Sequence, residues 1–462
     1  MSQSPALLRQ LGVGSATALV VSNMVGSGIF STSGFLAGDL GTPALFFLIW
    51  AVGALVGLAG AFCYAELGVN FPSSGGEYVY LTQGYGPVWG FMSGWASLFA
   101  GFSAPIAAAA LTVSNYAGYF VPAFRPENAL VSFGPEWFRI QLGGAQVLAA
   151  ILIAALTALN IAGILRAARF QNVMTIVKIV VLVAFVLLAF AAGDGNWSNF
   201  TKPIQRESST PLFAQFAISL CFIYLSYSGW NAATYVAEEL RQPARTLPAA
   251  LSIGTALVAV LYLVVNVVFL YAMPLSEMKG VFAVGAKASS KLFGAGVAGV
   301  FSALMAISLI PSINAMVTVG PRVYYAMAKN GAFLAFAGRV DERWHTPVPA
   351  ILLQGGLAIL MTATPFPSLL QFIGFTLNLF TVLAVASLFK FRRREGWQKL
   401  PVVSFLWPLL PAFYILVGLW IVAYGIRLIP VISMTTAAMM AIGALIYHFR
   451  LRSGKAHHAF GD

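Results

Sequence analysis

The chain of 462 residues has 26 Lys and Arg against 14 Asp and Glu, a net charge of +12, yet only 9% of it is charged and 59% is hydrophobic. With a mean hydropathy of +0.84, the two or three soluble domains that the length alone would allow are excluded, and a lipid bilayer is the expected solvent. The basic residues are dispersed among short joints and never interleave with aromatics along a groove, so nucleic acid is not an expected partner.

An apolar run needs roughly 20 residues to cross about 30 Å of hydrocarbon, and the chain offers about twelve such runs. Segment 1 is expected over 12–35, segment 2 over 42–69 and segment 3 over 87–120, with a Pro, Gly and Glu loop at 71–77 before segment 3. Segments 4 and 5 follow at 143–161 and 170–192, and a polar stretch at 194–210 separates them from segments 6 (212–238) and 7 (248–273). Segments 8, 9 and 10 are placed at 295–328, 349–364 and 368–389, and segments 11 and 12 at 403–424 and 430–450. The expected organisation is therefore a first repeat over 1–193, an external connection over 194–210, a second repeat over 211–390, and an added pair of helices with a tail over 391–462. Arg9, Arg166, Arg169, Arg241, Arg245 and the basic run Lys390–Arg394 fall on one side. The positive-inside rule makes that side, with both termini, cytoplasmic. The start of the chain has no cleavage-site pattern and reads as a retained first span.

Two glycines flank a serine at Gly26-Ser27-Gly28 inside segment 1, and Ser226-Tyr227-Ser228-Gly229 interrupts segment 6. Gly-x-Gly by itself reads equally as a helix break or as a close packing contact. Its counterpart in the first span of the second half favours the break, since unwound backbone at membrane depth is tolerated where it lines a cavity. A broken helix offers free N–H groups for a carboxylate and free carbonyls for an ammonium, so it suits a zwitterion.

Lys178 lies nine residues past Arg169, or ~13 Å along a helix. A lysine there either snorkels to the interface or faces a polar cavity, and mid-depth favours the cavity. Ser308, Ser312 and Asn314 in segment 8 are read as helix-to-helix glue or as part of the site. Glu66, Glu77, Glu238 and Glu239 are expected at the cytoplasmic ends, solvated or forming a gate, which leaves no acid at mid-membrane and argues against a cationic substrate. Cys63 and Cys221 lie in apolar runs as small hydrophobic residues. The four histidines join no metal-binding or catalytic cluster, so no enzyme, metal or cofactor is expected.

Together these residues resemble the amino acid-polyamine-organocation superfamily, and within it the L-type amino acid transporter branch. The resemblance is carried by Gly26-Ser27-Gly28-Ile29-Phe30, Tyr64-Ala65-Glu66-Leu67, Ser74-Gly75-Gly76-Glu77-Tyr78, Gln171-Asn172 with Thr175 and Lys178, and Gly229-Trp230-Asn231. Glu238-Glu239, Asn314, Arg322, Tyr325 and Thr346-Pro347-Val348-Pro349 extend it over most of the first ten segments. It implies an all-α membrane protein of the LeuT type, an inverted five-plus-five repeat with two extra C-terminal helices. The implied activity is sodium-independent secondary transport of neutral L-amino acids by alternating access, as an exchanger or linked to protons. A carrier of amines, polyamines or cationic amino acids is the alternative, and a channel or membrane enzyme a distant one.

The candidate substrate-binding residues are Val25, Gly26, Ser27, Gly28, Ile29, Leu225, Tyr227, Gly229 and Asn231. The resemblance also implies that Lys178 replaces a bound sodium ion by bridging the Gly26 carbonyl and Ser312. Two features depart from the family. The aromatic gate ahead of the segment 6 break falls on Leu225, beside Tyr224. The cysteine by which animal members join a glycoprotein is missing between Val121 and Gly143. No covalent heavy subunit is therefore expected, and a bacterial inner membrane is the expected location.

Overall fold

The computed structural model describes residues 7–451, except 27, 126–127, 135–139, 282, 365 and 429. Its helices are α1 (Val13–Met24), α2 (Gly28–Leu40), α3 (Pro43–Asn70), α4 (Glu77–Tyr85), α5 (Pro87–Ala96), α6 (Ala104–Ala117), α7 (Gly144–Ile161), α8 (Ile164–Ala192) and α9 (Leu212–Tyr227). They continue as α10 (Pro243–Ala272), α11 (Leu275–Met278), α12 (Val284–Phe293), α13 (Ala298–Lys329), α14 (Val348–Met361), α15 (Phe366–Phe391), α16 (Pro401–Phe405), α17 (Leu409–Leu428) and α18 (Pro430–Ile446). One short antiparallel ladder, β1 (Val131–Phe133) with β2 (Ile140–Leu142), pairs Val131 with Leu142 in the loop before α7.

Among the described residues nine helical stretches are long and apolar enough to cross a membrane, and three shorter apolar helices lie at Val348–Met361, Phe375–Phe391 and Ser433–Phe449. These correspond one for one with the twelve segments read from the sequence. The protein is an all-α, multi-pass membrane protein in which the first and sixth spans are each interrupted.

Helix α8 shows how the bilayer sets the pattern. Thr175, Lys178, Leu182, Phe185 and Ala189 are buried at helical spacing, whereas Val173, Ile176, Val180, Val183 and Leu187 are exposed. The exposed stripe is thus wholly apolar, as lipid requires, and Thr175 and Lys178 lie with apolar residues on the side that faces protein. Helix α3 begins as its sequence dictates: Pro43 takes the first helical position and the Thr42 hydroxyl accepts from the Leu45 N–H at 3.3 Å.

The structure corrects several boundaries. Segment 5 starts at Ile164, because Gly163, at φ 116°, turns the chain straight out of α7. Segment 7 starts at Pro243, with Pro248 inside the helix. The loop after it folds into α11 and α12. Segment 11 starts at Leu409, after the separate short helix α16.

Inside the bundle α1 packs on α8, α10 and α13, α2 packs on α9, and α13 packs on α6 and α8. Both interruptions therefore lie in the middle of the molecule.

Candidate substrate site

Helix α1 ends at Met24 and α2 starts at Gly28; between them the Val25 N–H reaches back to Val21 and the Gly26 N–H to the Met24 carbonyl at 2.8 Å. Ser27 lies outside the described residues. Helix α9 ends at Tyr227, Gly229 takes φ 102°, and the chain resumes as a 3-10 turn over Ala232–Glu239. A side chain at Gly229 would need a backbone conformation that L residues avoid, and its Cβ would lie 2.8 Å from the Asn23 carbonyl carbon. The two breaks thus touch. The Tyr262 hydroxyl joins them, donating toward the Met24 carbonyl at 2.7 Å and the Ser226 carbonyl at 3.0 Å.

The two glycines of the first break play different steric roles. A Cβ on Gly28 would meet Ser226 Cα at 2.7 Å, so this glycine lets the two interrupted spans approach. A Cβ on Gly26 would meet nothing nearer than 4.0 Å. Among the described residues beyond its chain neighbours no atom explains its lack of a side chain, and the open space is available to a ligand.

Lys178 is fully buried. Its ammonium donates to the Val25 carbonyl at 2.6 Å, to the Ser312 hydroxyl at 2.7 Å and, more weakly, to the Ser22 carbonyl at 3.5 Å. Ser312 itself donates to the Val25 carbonyl at 2.7 Å. The bridge runs through Val25 rather than Gly26, because the end of α1 turns the Val25 carbonyl toward α8 and α13.

A cavity opens in front of the breaks, bordered by Gly26, Gly28, Leu225, Gly229, Asn231 and Ser312. Val25 and Ile29 are buried and are not among the residues that border it. Tyr227 is not part of it. Helix α9 turns that ring away, where its hydroxyl donates to the Trp50 carbonyl at 3.1 Å and its edge packs on Trp50.

Several residues that the sequence reading left aside border the same cavity, notably Glu77, Phe102, Tyr224 and Tyr235. Phe102 arrives on a π-helical turn over Ser97–Ser103 between α5 and α6. Pro105 follows that turn and has no N–H to offer the Gly101 carbonyl, which is a visible sequence signal for such a bulge. Tyr224 bonds Thr381 at 2.6 Å, so the aromatic next to Leu225 occupies the wall of the cavity.

Glu77 is the largest correction. Of the two roles expected for it, solvated or forming a gate, the solvated one fails, because it is 4% exposed and borders the cavity. Gly75 and Gly76, both at positive φ, turn the chain from α3 back into the bundle. Its Oε1 accepts from the Tyr64 hydroxyl at 2.9 Å and the Asn231 amide at 2.6 Å, and its Oε2 from the Tyr235 hydroxyl at 2.5 Å. Glu66 and Glu239 are not solvated either. Glu66 pairs with Arg392 at 2.6 Å, and Glu239 with the wholly buried Arg322 at 2.7 Å.

Helix α13 joins the Lys178 region to that last pair. Ser22 meets Thr175, which bonds Gln171; Gln171 accepts from Asn314, Asn314 from Asn160, and Asn160 from Thr318. The Thr318 carbonyl accepts from Arg322 at 2.6 Å. Asn314 therefore serves as helix-to-helix glue and Ser312 belongs to the lysine site, while Ser308 donates to the Met305 carbonyl of its own helix.

Comparison with known proteins agrees with this architecture. A family model described as amino acid permease matches residues 11–447. The chain is 29% identical to the human large neutral amino acids transporter small subunit 2, over 96% of this chain and 80% of the relative. It is 28% identical to the human b(0,+)-type amino acid transporter 1, over 100% of this chain and 91% of the relative. To the mouse Asc-type amino acid transporter 1 it is 26% identical, over 96% and 82%. With two interrupted spans meeting at a buried cavity and a family match over nearly its whole length, this chain belongs to the amino acid permease family of the amino acid-polyamine-organocation superfamily, whose members are transporters and not enzymes.

Proposed function

We propose that this chain is a sodium-independent exchanger of neutral L-amino acids working by alternating access. The observation that carries this reading is the ammonium of Lys178 held by the Val25 carbonyl and the Ser312 hydroxyl. A carbonyl and a hydroxyl converging on one point at the end of a half-helix are ligands suited to a small cation. A lysine ammonium in that place supplies the charge itself, so no sodium ion is required.

The substrate carboxylate is assigned to the first N–H groups of α2, from Gly28 onward, next to the space at Gly26. Its ammonium is assigned to carbonyls at the ends of α1 and α9. Val25, Ile29, Leu225, Gly229 and Asn231 complete the site, and Tyr227 is left out of it. Residues 1–193 and 211–390 form the two halves that rock against each other, joined by 194–210 and followed by the added helices of 391–462. The basic joints support cytoplasmic termini, and a bacterial inner membrane is the location we favour. The name of one relative, the large neutral amino acids transporter small subunit 2, supports a neutral substrate. Cys63 and Cys221 both lie within apolar helices, so a disulfide-linked partner subunit forms no part of the reading.

Purified protein in proteoliposomes loaded with unlabelled alanine, serine or leucine is expected to take up the labelled amino acid equally with and without a sodium gradient. Absence of uptake across a full amino acid panel removes the carrier reading. One observation favours a second reading: Glu77 supplies the acid at the cavity that a cationic substrate requires. Competition by lysine or putrescine, but not by alanine, would select it.

A further inference from the structure

Glu77 stands apart from the other buried acids. Glu66 and Glu239 each face an arginine, whereas no Lys, Arg or His among the described residues lies within ion-pair distance of Glu77. The ionisable side chains that face it are all tyrosines: Tyr64 on α3, Tyr80 on α4, Tyr235 on the 232–239 turn, Tyr224 on α9 and Tyr414 on α17. A desolvated carboxylate without a cation is costly, and binding a proton is the cheapest way to remove the charge.

The ring of partners satisfies the ionised form better than the neutral one. Ionised, the carboxylate takes three donors. Protonated at Oε2, it donates to the Tyr235 oxygen, which also accepts from the Asn231 amide at 2.9 Å. The Tyr235 hydroxyl proton must then turn away from Glu77, its one acceptor among the described residues, so the ring holds the neutral acid less well. An ammonium fits less well, since both oxygens are already enclosed by these donors. Burial, the largest influence, pushes the Glu77 carboxyl above the usual carboxylate range, against the hydrogen bonds from Tyr235, Tyr64 and Asn231.

Asn231 and Tyr235 belong to the part of segment 6 that follows its break, whereas Tyr64 and Glu77 belong to α3 and α4. Hydrogen bonds to a charged acceptor are about twice as strong as neutral ones. The ionised carboxylate therefore grips the 231–239 segment more tightly than the acid does. We propose that Glu77 is a proton-binding site at the substrate cavity, through which a proton taken from water onto Oε2 loosens the second half of segment 6. The proposal deepens the carrier reading and rests on it.

The test is exchange of a labelled neutral amino acid in proteoliposomes between about pH 5 and about pH 8, with wild type, Glu77→Gln and Tyr235→Phe. Wild type is expected to exchange at least about threefold faster at the acid end, because protonation weakens the grip. Glu77→Gln, which mimics the neutral acid, is expected to be flat. Tyr235→Phe removes a donor from the charged form, so its acceleration should begin at higher pH. Glu77→Gln with the wild-type profile, or a flat wild type, overturns the proposal, and so does selective loss of lysine uptake at an unchanged profile, which would mark an amine-binding carboxylate.

If Glu77→Gln does not reach the membrane, an unshifted Tyr235→Phe profile overturns it. If wild type transports no amino acid, the carrier reading falls. Hydrogen exchange then decides: at about pH 8 the amides of 232–239 should exchange at least about threefold faster in Glu77→Gln than in wild type, and equal rates overturn the proton site.

Discussion

Lys178 and Glu77 are buried ionisable groups of opposite sign, one behind the first helix break and one beside the second, and their partners are of opposite kind. The lysine meets acceptors, the Val25 carbonyl and the Ser312 oxygen. The glutamate meets donors, two tyrosine hydroxyls and an asparagine amide. Backbone carbonyls freed by a helix end only accept, so they favour a cation. Hydroxyl and amide donors hold a carboxylate more strongly than its neutral acid, so their grip depends on its charge. The difference teaches that one cavity can seat a cation among acceptors and an acid among donors by the choice of partner alone.

Mutations that separate these two regions follow in order of expected effect. Lys178→Ala should lower uptake about 100-fold at every pH, since it empties a site that positions both α1 and α13, while membrane insertion persists. Uptake at the wild-type level would make the lysine structural. Gly26→Val places a side chain where no described atom beyond its chain neighbours lies nearer than 4.0 Å, so substrate binding, read by equilibrium binding of a labelled amino acid, should fall at least about tenfold without loss of folding. Gly28→Leu is the poorer probe, because its Cβ alone would collide with Ser226.

Glu239→Ala leaves Arg322 buried and unpaired, and should cost about 3 to 5 kcal/mol of stability, measured as a lowered midpoint of detergent unfolding. Tyr262→Phe removes one hydroxyl shared by the two breaks and should cost about 1 kcal/mol by the same assay, with a modest loss of transport. Tyr227→Phe should leave substrate affinity unchanged, since its ring faces Trp50. A large affinity loss there would return Tyr227 to the site.

The sequence was most readable where the helix itself carries the information. The depth of Lys178 follows from counting residues along α8, and the two breaks from glycine and serine in otherwise apolar spans. Glu77 was misplaced because it stands on the link between two spans, and counting along a helix says nothing about a segment that two glycines fold back into the bundle. Tyr227 was misassigned because neighbours on a helix point about 100° apart. Adjacency to a break does not decide which side chain faces the cavity. The Val25 bridge was missed for a related reason, as the carbonyl that reaches Lys178 depends on how α1 unwinds.

Composition, period and glycine placement alone determined that this is a twelve-segment membrane protein interrupted in its first and sixth spans. The bilayer imposes those features on each segment separately, and each is written locally. Only the tertiary structure decided that Glu77 borders the cavity, that Arg322 is answered by Glu239, and that Asn160, Gln171, Asn314 and Thr318 link that pair to the lysine site. These partners are separated by tens to hundreds of positions along the chain, and they meet only because the spans pack in one particular arrangement.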